Sequence, residues 1–180
     1  MIYLYLSWGI VLASIAQMGT RRWYVACAML AWVMAPLVLG IPHYSPAYWL
    51  GLAFQAPSLV SVGWCAYFAS RYRVPLCCPM ALAVLTTIMG WALLLDSFAV
   101  FPVQLYALGF ETGMAGTIFL IVLLLSFELV TAIVVASALL IFVFFRIPTG
   151  NVWDAVLDPL LWLFAQWYVV SRKKQSTQPT

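Results

Sequence analysis

The sequence predicts an all-α, polytopic integral membrane protein with five or six transmembrane helices. Hydrophobic residues make up 66% of the 180 residues, and charged residues make up only 7%. A soluble domain usually carries roughly 25% charged residues, because its surface must be hydrated. This chain has too few polar groups to cover a globule. We therefore expect a single membrane-embedded domain, residues 1–174, followed by a polar tail, 175–180.

The longest apolar stretch, residues 114–145, predicts a central transmembrane helix with one ionisable residue, Glu128. About 20 consecutive apolar residues are enough to cross the hydrocarbon of a bilayer. A carboxylate at that depth costs about 3 kcal/mol or more unless it faces protein, water or a partner. Glu128 is therefore either a functional carboxylate that handles protons or cations, or a hydrogen-bonded residue that fixes helix packing.

A single helix through this stretch would place small and polar residues on the side that carries Glu128. Residues three, four, seven or eight positions apart share one side of a helix, which groups Thr117, Thr131 and Ala132 with Glu128. Ala132 and Ala136 form a small-x-x-x-small pair, and such a pair lets a second helix approach closely. We therefore expect this side to contact protein rather than lipid.

Four shorter apolar stretches precede the central one, and each is expected to be a transmembrane helix: 2–18, 23–39, 49–70 and 76–95. Pro36 is tolerated inside the second helix where neighbouring helices satisfy the freed carbonyl group, and Pro57 can kink the third. Between these two helices, residues 40–46 contain two prolines and several turn-forming residues, which predicts a loop. His43 lies in this loop and is a candidate catalytic residue.

The segment 98–113 is apolar but too short to cross the membrane, and it contains Pro102 and Gln104. It therefore predicts an external re-entrant or interfacial element. Asp96 and Glu111 flank this element and are candidates for the mouth of a cavity. The alternative is that they only mark where the chain meets water.

The basic residues orient the predicted helices in the membrane. They fall in alternate connections, after the first, third and fifth helices: Arg21, Arg22, Arg71, Arg73 and Arg146. By the positive-inside rule these connections are cytoplasmic and the N-terminus is outside. The expected location is a plasma membrane, such as the inner membrane of a bacterium. The net charge of +3 is too small and too scattered to indicate a nucleic-acid partner.

The C-terminal stretch admits two interpretations. Asn151 is a candidate N-cap of a short helix with Asp154 at its third position, and Asp158 precedes a proline, which is a typical helix start. The helix that follows, 159–171, would be roughly 20 Å long and could not cross a core about 30 Å thick. Without the break, residues 152–171 could cross as a sixth transmembrane helix.

Two carboxylates in this stretch are candidate catalytic residues. On one uninterrupted helix, Asp154 and Asp158 would share a side, where they could hold a divalent cation or divide acid and base roles. Their spacing from Gly150 resembles the second half of the CDP-alcohol phosphotransferase signature, but the first half is missing from residues 136–141. The run Gly150-Asn151-x-x-Asp154 resembles a fragment of the lipoprotein signal peptidase motif, without the arginine that should follow. Neither resemblance implies a family for this chain.

The cysteines and the single histidine do not form a metal-ligand pattern. Cys27, Cys65, Cys77 and Cys78 include no C-x-x-C pair, and His43 is near none of them in the sequence. We therefore expect no metal ion and no cofactor.

The sparse polar chemistry favours a non-catalytic accessory, assembly or immunity-type subunit that acts by binding other membrane helices. Its expected partners are the lipid bilayer and other membrane proteins. The first alternative is a transporter or channel component with Glu128 as the coupling group. The second alternative is a lipid-modifying intramembrane enzyme that uses Asp154 and Asp158, or His43.

Overall fold

The structure is a computed structural model that describes residues 1–70, 80–102, 104–111, 113–125 and 129–176. Every regular element within these ranges is a helix, which confirms the predicted all-α class for the described part of the chain. The chain forms two compact units, Met1–Leu76 and Cys77–Thr180. The expected single domain, 1–174, stays a prediction.

Residues 1–70 of the first unit form four α-helices and one 3₁₀ turn. Their bounds are α1 Ile2–Thr20, α2 Trp23–Val38, the 3₁₀ turn Pro42–Tyr44, α3 Pro46–Phe54 and α4 Leu59–Ser70. Arg21 ends α1 in a left-handed conformation, with a φ of 59°. The predicted third helix, 49–70, is wrong as one helix, because Gln55 has a φ of 62° and Pro57 follows it. The chain therefore breaks between α3 and α4.

Helix α1 is the centre of this unit and packs against the other three helices. Its buried side chains include Tyr5, Trp8 and Val11, which meet Val33 of α2 and Ala47 of α3 in one apolar cluster. Successive turns in the N-terminal half of α1 thus each contribute one apolar side chain to the core.

Side chains of α1 also satisfy the carbonyl groups that the break between α3 and α4 sets free. The Tyr3 hydroxyl donates to the Pro57 carbonyl at 2.6 Å, and the Trp8 indole donates to the Gln55 carbonyl at 2.8 Å. An unsatisfied backbone group away from water costs several kcal/mol, at about the scale of a lost hydrogen bond. These two bonds therefore reduce the cost of the break in an apolar environment.

The described part of the second unit contains six helical segments. Their bounds are α5 Met80–Ser97, α6 Leu105–Leu108, α7 Met114–Leu125, α8 Leu129–Phe145, α9 Val152–Val156 and α10 Pro159–Ser176. Helix α10 packs against α5. The Trp162 indole donates to the Thr87 carbonyl at 3.3 Å and meets the Trp91 ring edge-to-face at 5.1 Å. Gly90 makes room for this contact, since a Cβ atom there would overlap the Trp162 ring.

Helices α7 and α8 cover 114–125 and 129–145 of the predicted central helix. Residues 126–128 between them lie outside the described residues, so the single helix over 114–145 stays a prediction. The backbone N–H of Val152 donates to the carbonyl of Gly109 at 2.9 Å. The segment before α7 and the segment after α8 therefore meet.

Two described helices, α1 and α5, are long and apolar enough to cross a membrane. Four more are apolar but shorter: α2, α4, α7 and α8. This pattern indicates an association with membranes.

Candidate functional site

The polar groups of the second unit meet where α6 and α9 approach each other. The Tyr106 hydroxyl of α6 donates to the Asp154 carboxylate of α9 at 2.7 Å, and the Thr149 hydroxyl donates to the same oxygen. The backbone N–H of Asn151 in turn donates to Thr149 at 3.3 Å. We call these four residues, Tyr106, Thr149, Asn151 and Asp154, the polar clasp.

The Asn151 side chain forms hydrogen bonds with the backbone of both α9 and α6. Its amide oxygen accepts the N–H of Trp153 at 2.9 Å, so the predicted N-cap of α9 is confirmed. Its amide nitrogen donates to the Tyr106 carbonyl at 2.8 Å. A Cβ atom at Gly109 would overlap this side chain. The fully buried Asn151 therefore needs glycine at position 109 in order to reach α6.

Asp154 does not act as the predicted capping-box residue. In that motif its carboxylate would accept the N–H of Asn151 directly. In the structure, the Thr149 hydroxyl accepts the Asn151 N–H and donates to the Asp154 carboxylate, so it lies between the two groups. The Asp154 carboxylate is thereby free to accept the Tyr106 hydroxyl from outside its own helix.

Asp96 lies at the C-terminal end of α5 and is tied to the same region. Its carboxylate accepts the backbone N–H of Tyr106 at 2.8 Å, near the start of α6. The first N–H groups of a helix have no partner within the helix, and Asp96 supplies one. Glu111 follows α6 and is exposed. Their predicted role at the mouth of a cavity stays a prediction.

The surroundings of Tyr106 change its acidity. Partial burial, and after it the hydrogen bond to Asp154 and the charge of that carboxylate, raise the pKa of Tyr106 from 10.0 to about 12. Ionisation would remove the O–H donor and place a phenolate beside a carboxylate. The clasp therefore depends on a neutral tyrosine.

Asp158 and Asp154 do not share a helical side, contrary to the sequence prediction. Leu157 is extended, with φ −128° and ψ 132°, and separates α9 from α10. The Asp158 carboxylate accepts the N–H of Leu161 at 2.7 Å, which confirms its predicted place at the start of α10. Each carboxylate thus carries its own structural hydrogen bond. Within the described ranges, no three His, Cys, Asp or Glu residues form a group that could hold a metal ion.

His43 belongs to the first unit, in the exposed 3₁₀ turn that follows α2. Its ring centre lies 4.4 Å from that of Tyr44, and its carbonyl accepts the Trp49 indole N–H at 2.9 Å. These contacts are those of a turn residue at an aromatic surface. Its predicted catalytic role stays a prediction.

Glu128 lies outside the described residues, as do Arg71 and Arg73. The predicted shared side of Thr117, Glu128 and Thr131 stays a prediction, because residues 126–128 lie outside the described residues. The Thr117 hydroxyl donates to the Gly113 carbonyl. The Thr131 hydroxyl is fully buried and has no hydrogen-bond partner among the described residues. A buried unpaired hydroxyl costs about 1–3 kcal/mol.

A second surface with a distinctive composition lies on α2. Helix α2 buries Val33 and Pro36, and its opposite side is exposed. This side carries a stripe of small residues, Cys27, Ala28, Ala31 and Ala35, together with the exposed large side chains of Tyr24, Trp32 and Val38. We call the four small residues the small face of α2.

Sequence reasoning missed Tyr106 and Thr149, which had no motif to mark them. Trp153 was missed as well, although its indole donates to the Leu105 carbonyl at 3.0 Å and so fixes α9 on α6. A usable signal was the pair of polar residues, Asn151 and Asp154, beside an aromatic residue. Comparison with protein families, curated proteins and solved structures finds no match for this chain. The functional argument therefore rests on its own residues.

Proposed function

We propose that this chain is a small polytopic membrane protein that acts as a non-catalytic accessory, assembly or immunity-type subunit by binding other transmembrane helices. The observation that carries the proposal is the small face of α2. A partner of suitable chemistry is an apolar helix that presents small residues of its own.

The membrane part of the proposal is supported by the outer surface of the helices. Helix α5 passes the length and composition test for a membrane span with only 11% of its apolar window buried within the chain. Large apolar side chains are exposed on it and on other helices, among them Ile88, Trp91, Leu140 and Phe144. Water would have to hydrate all of this apolar surface, at about 25 cal/mol per Å². A bilayer removes that cost.

The partner part of the proposal is supported by the spacing on α2. Ala28, Ala31 and Ala35 stand three and four positions apart, so they form a continuous stripe along one side of the helix. Association of helices in lipid is driven by close packing, and small residues allow the two backbones to approach. A surface that only faces lipid gains nothing from such a stripe.

The proposed orientation in the membrane, with the N-terminus outside, has support within the first unit. The Gln17 side chain donates to the Ala69 carbonyl at 3.1 Å. The C-terminal ends of α1 and α4 therefore lie side by side. Arg21 and Arg22 follow one of these ends, which accords with a single cytoplasmic face in the plasma membrane.

The two alternatives rest on fewer observations. The transporter alternative depends on Glu128 and stays a prediction. The enzyme alternative gains no support from Asp154 and Asp158, because these carboxylates lie in separate elements and accept structural hydrogen bonds.

Photocrosslinking in native membranes tests the proposal. A photoreactive residue at position 31, on the small face of α2, is expected to give an adduct with another membrane protein. The same residue at Ile88, which is exposed on α5, is the matched control and is expected to give lipid adducts. Ala28→Trp should abolish the protein adduct at position 31 by steric blockade, whereas Ala28→Gly should preserve it. Lipid adducts alone at position 31 would contradict the proposal.

A further inference from the structure

We propose that the first unit binds one anionic phospholipid in a groove between α1, α2 and α4, with the lipid phosphate at Arg21 and Arg22. This inference rests on the proposed membrane location but not on a partner helix. The groove is separate from the small face of α2, because the residues of α2 that line it, Ala26 and Leu30, are not part of that face.

The groove is narrow and is lined by small side chains from all three helices. Its volume is about 250 Å³, and its wall includes Ala13 of α1, Ala26 of α2, and Ala66 and Ala69 of α4. Small-molecule pockets usually measure about 300–1,000 Å³, and a helix with its side chains is about 10–12 Å wide. The groove therefore fits a slender chain better than a whole helix.

The groove occupies the half of α1 that leads to Arg21. Its lining residues on α1 run from Ile10 to Gln17, and α1 ends at Thr20. Ile10 is therefore roughly 15 Å from that end, at 1.5 Å per residue. This distance is half of a hydrocarbon core about 30 Å thick. The groove thus has the depth of one leaflet.

The chemistry along the groove changes in the same order as the groups of a phospholipid. Ile10 and Leu30 make the inner end apolar, and Ser14 and Gln17 follow towards the outer end. Arg21 comes one turn later, where its backbone N–H donates to the Gln17 carbonyl at 2.6 Å. An acyl chain, its ester group and the phosphate would each meet a matching part of this surface.

Ser14 offers a hydrogen-bond donor inside the groove. The residue is only 5% exposed, and its hydroxyl forms no hydrogen bond with another described residue. The Gln17 amide nitrogen donates to the Ala69 carbonyl at 3.1 Å and keeps a second N–H. A buried hydroxyl without a partner is unfavourable. The ester carbonyl of a lipid is an acceptor that would satisfy it.

The charge at the outer end of the groove selects an anion. Arg21 and Arg22 are exposed, and the Arg22 guanidinium donates to the neutral Tyr24 hydroxyl at 2.8 Å. No acidic residue precedes Asp96 in the sequence, so the first unit contains no carboxylate side chain to neutralise these arginines. Basic pockets between transmembrane helices bind anionic lipid headgroups. A phosphate group is therefore the complementary ligand.

Lipid retention tests the inference. The full chain is reconstituted in nanodiscs of equal parts phosphatidylglycerol and phosphatidylcholine with identical acyl chains, released, and weighed by native mass spectrometry. One phosphatidylglycerol per chain is expected to stay bound, in several-fold excess over phosphatidylcholine. Equal retention of the two lipids, or displacement of the lipid by inorganic phosphate alone, would overturn the proposal.

Two variants with matched controls locate the lipid. Ala66→Phe fills the groove at an exposed position and should lower the bound phosphatidylglycerol several-fold, whereas Ala53→Phe, exposed on α3, should not. Arg21→Gln combined with Arg22→Gln should remove the preference for phosphatidylglycerol, whereas Arg146→Gln, in the second unit, should keep it. An unchanged amount of bound lipid in Ala66→Phe would show that the lipid does not occupy the groove.

A photoreactive residue at position 66 distinguishes a lipid in the groove from a helix. An adduct with phosphatidylglycerol supports the proposal, and an adduct with a protein would overturn it in favour of helix docking. Absence of bound lipid together with an intact protein adduct at position 31 would overturn the lipid site and leave the proposed function standing. Release of the chain from membranes by alkaline carbonate would refute the membrane location on which both depend.

Discussion

The Tyr106 hydroxyl lies 2.7 Å from the Asp154 carboxylate, and this bond joins residues 48 positions apart in the sequence. The two residues belong to the segments before α7 and after α8, which the sequence alone assigns to opposite membrane faces. The bond does not fit that assignment, because it holds the two segments side by side.

The Tyr106 phenol is expected to lose its proton at a higher pH than an ordinary tyrosine. Its pKa is raised to about 12 from 10.0. Because the neutral form is favoured in the folded state, its contribution to stability is present below about pH 10 and is lost as the pH rises to about 12. The measurement is the phenolate absorbance of the purified protein minus that of Tyr106→Phe. Asp154→Asn should lower the midpoint of this difference, and a wild-type midpoint near pH 10 would contradict the interaction.

Asp158 is expected to act through its carboxylate oxygen at the start of α10. Asp158→Ala should lower the free energy of unfolding by about 1 kcal/mol, because the N–H of Leu161 loses its acceptor. Asp158→Asn should retain most of this energy, since the amide oxygen still accepts a hydrogen bond. Denaturant unfolding in detergent, followed by tryptophan fluorescence, measures both. Loss of a metal-dependent activity in Asp158→Asn, at unchanged protein level, would favour the enzyme alternative.

Two glycines in apolar helices are expected to respond oppositely to alanine. Gly90→Ala should destabilise the second unit by about 1–3 kcal/mol, because the new methyl group would overlap the Trp162 ring. Gly116→Ala should be neutral or stabilising by up to about 1 kcal/mol, because that position faces open space. The same unfolding measurement compares them. Equal effects would show that Trp162 does not occupy the space beside Gly90.

The buried hydroxyl of Thr131 is expected to lower the free energy of unfolding. Thr131→Val removes, at nearly constant shape, a hydroxyl that has no partner among the described residues, and it should leave the protein equally stable or stabilise it by about 1 kcal/mol. Thr117→Val is the matched control, since that hydroxyl donates to Gly113. A clear loss of stability in Thr131→Val would indicate that a water molecule or a partner binds this hydroxyl.

Substitution of Glu128 distinguishes two of the proposed functions. Glu128→Gln keeps hydrogen bonding but cannot carry charge, whereas Glu128→Leu keeps neither. If the residue only packs or binds a partner, Gln should retain partner association and Leu should lose it. If it moves protons or cations, both variants should lose flux in reconstituted liposomes at normal expression. Full function in the Leu variant would exclude both roles.

Local signals in the sequence predicted the helix ends well. Asn151 and Asp158 cap α9 and α10 as their side-chain chemistry predicts, because a cap depends on atoms only two or three residues away. The loop at 40–46 follows from its prolines in the same way. Such interactions are decided within a few residues of sequence.

The hydrogen bond between Gly109 and Val152 could not be predicted in this way. Hydropathy indicates which solvent a segment prefers, but it does not indicate which of its ends lie close together. The break between α3 and α4 is easier to predict, because Pro57 marks it in the sequence. No sequence pattern predicts the contact of Tyr106 with Asp154, because tyrosine and aspartate are both common at membrane surfaces without such a contact.

The break between α3 and α4 has a consequence for how the chain is made. Two of its freed carbonyl groups are bonded by Tyr3 and Trp8, which precede the break in the chain and are therefore synthesised before it. A continuous helix such as α1 can enter lipid alone, because its backbone satisfies itself. In the proposed membrane location, the broken segment would follow its donors into the bilayer. A circular permutation that moved α1 behind α4 would then leave these two carbonyl groups without donors at the insertion step.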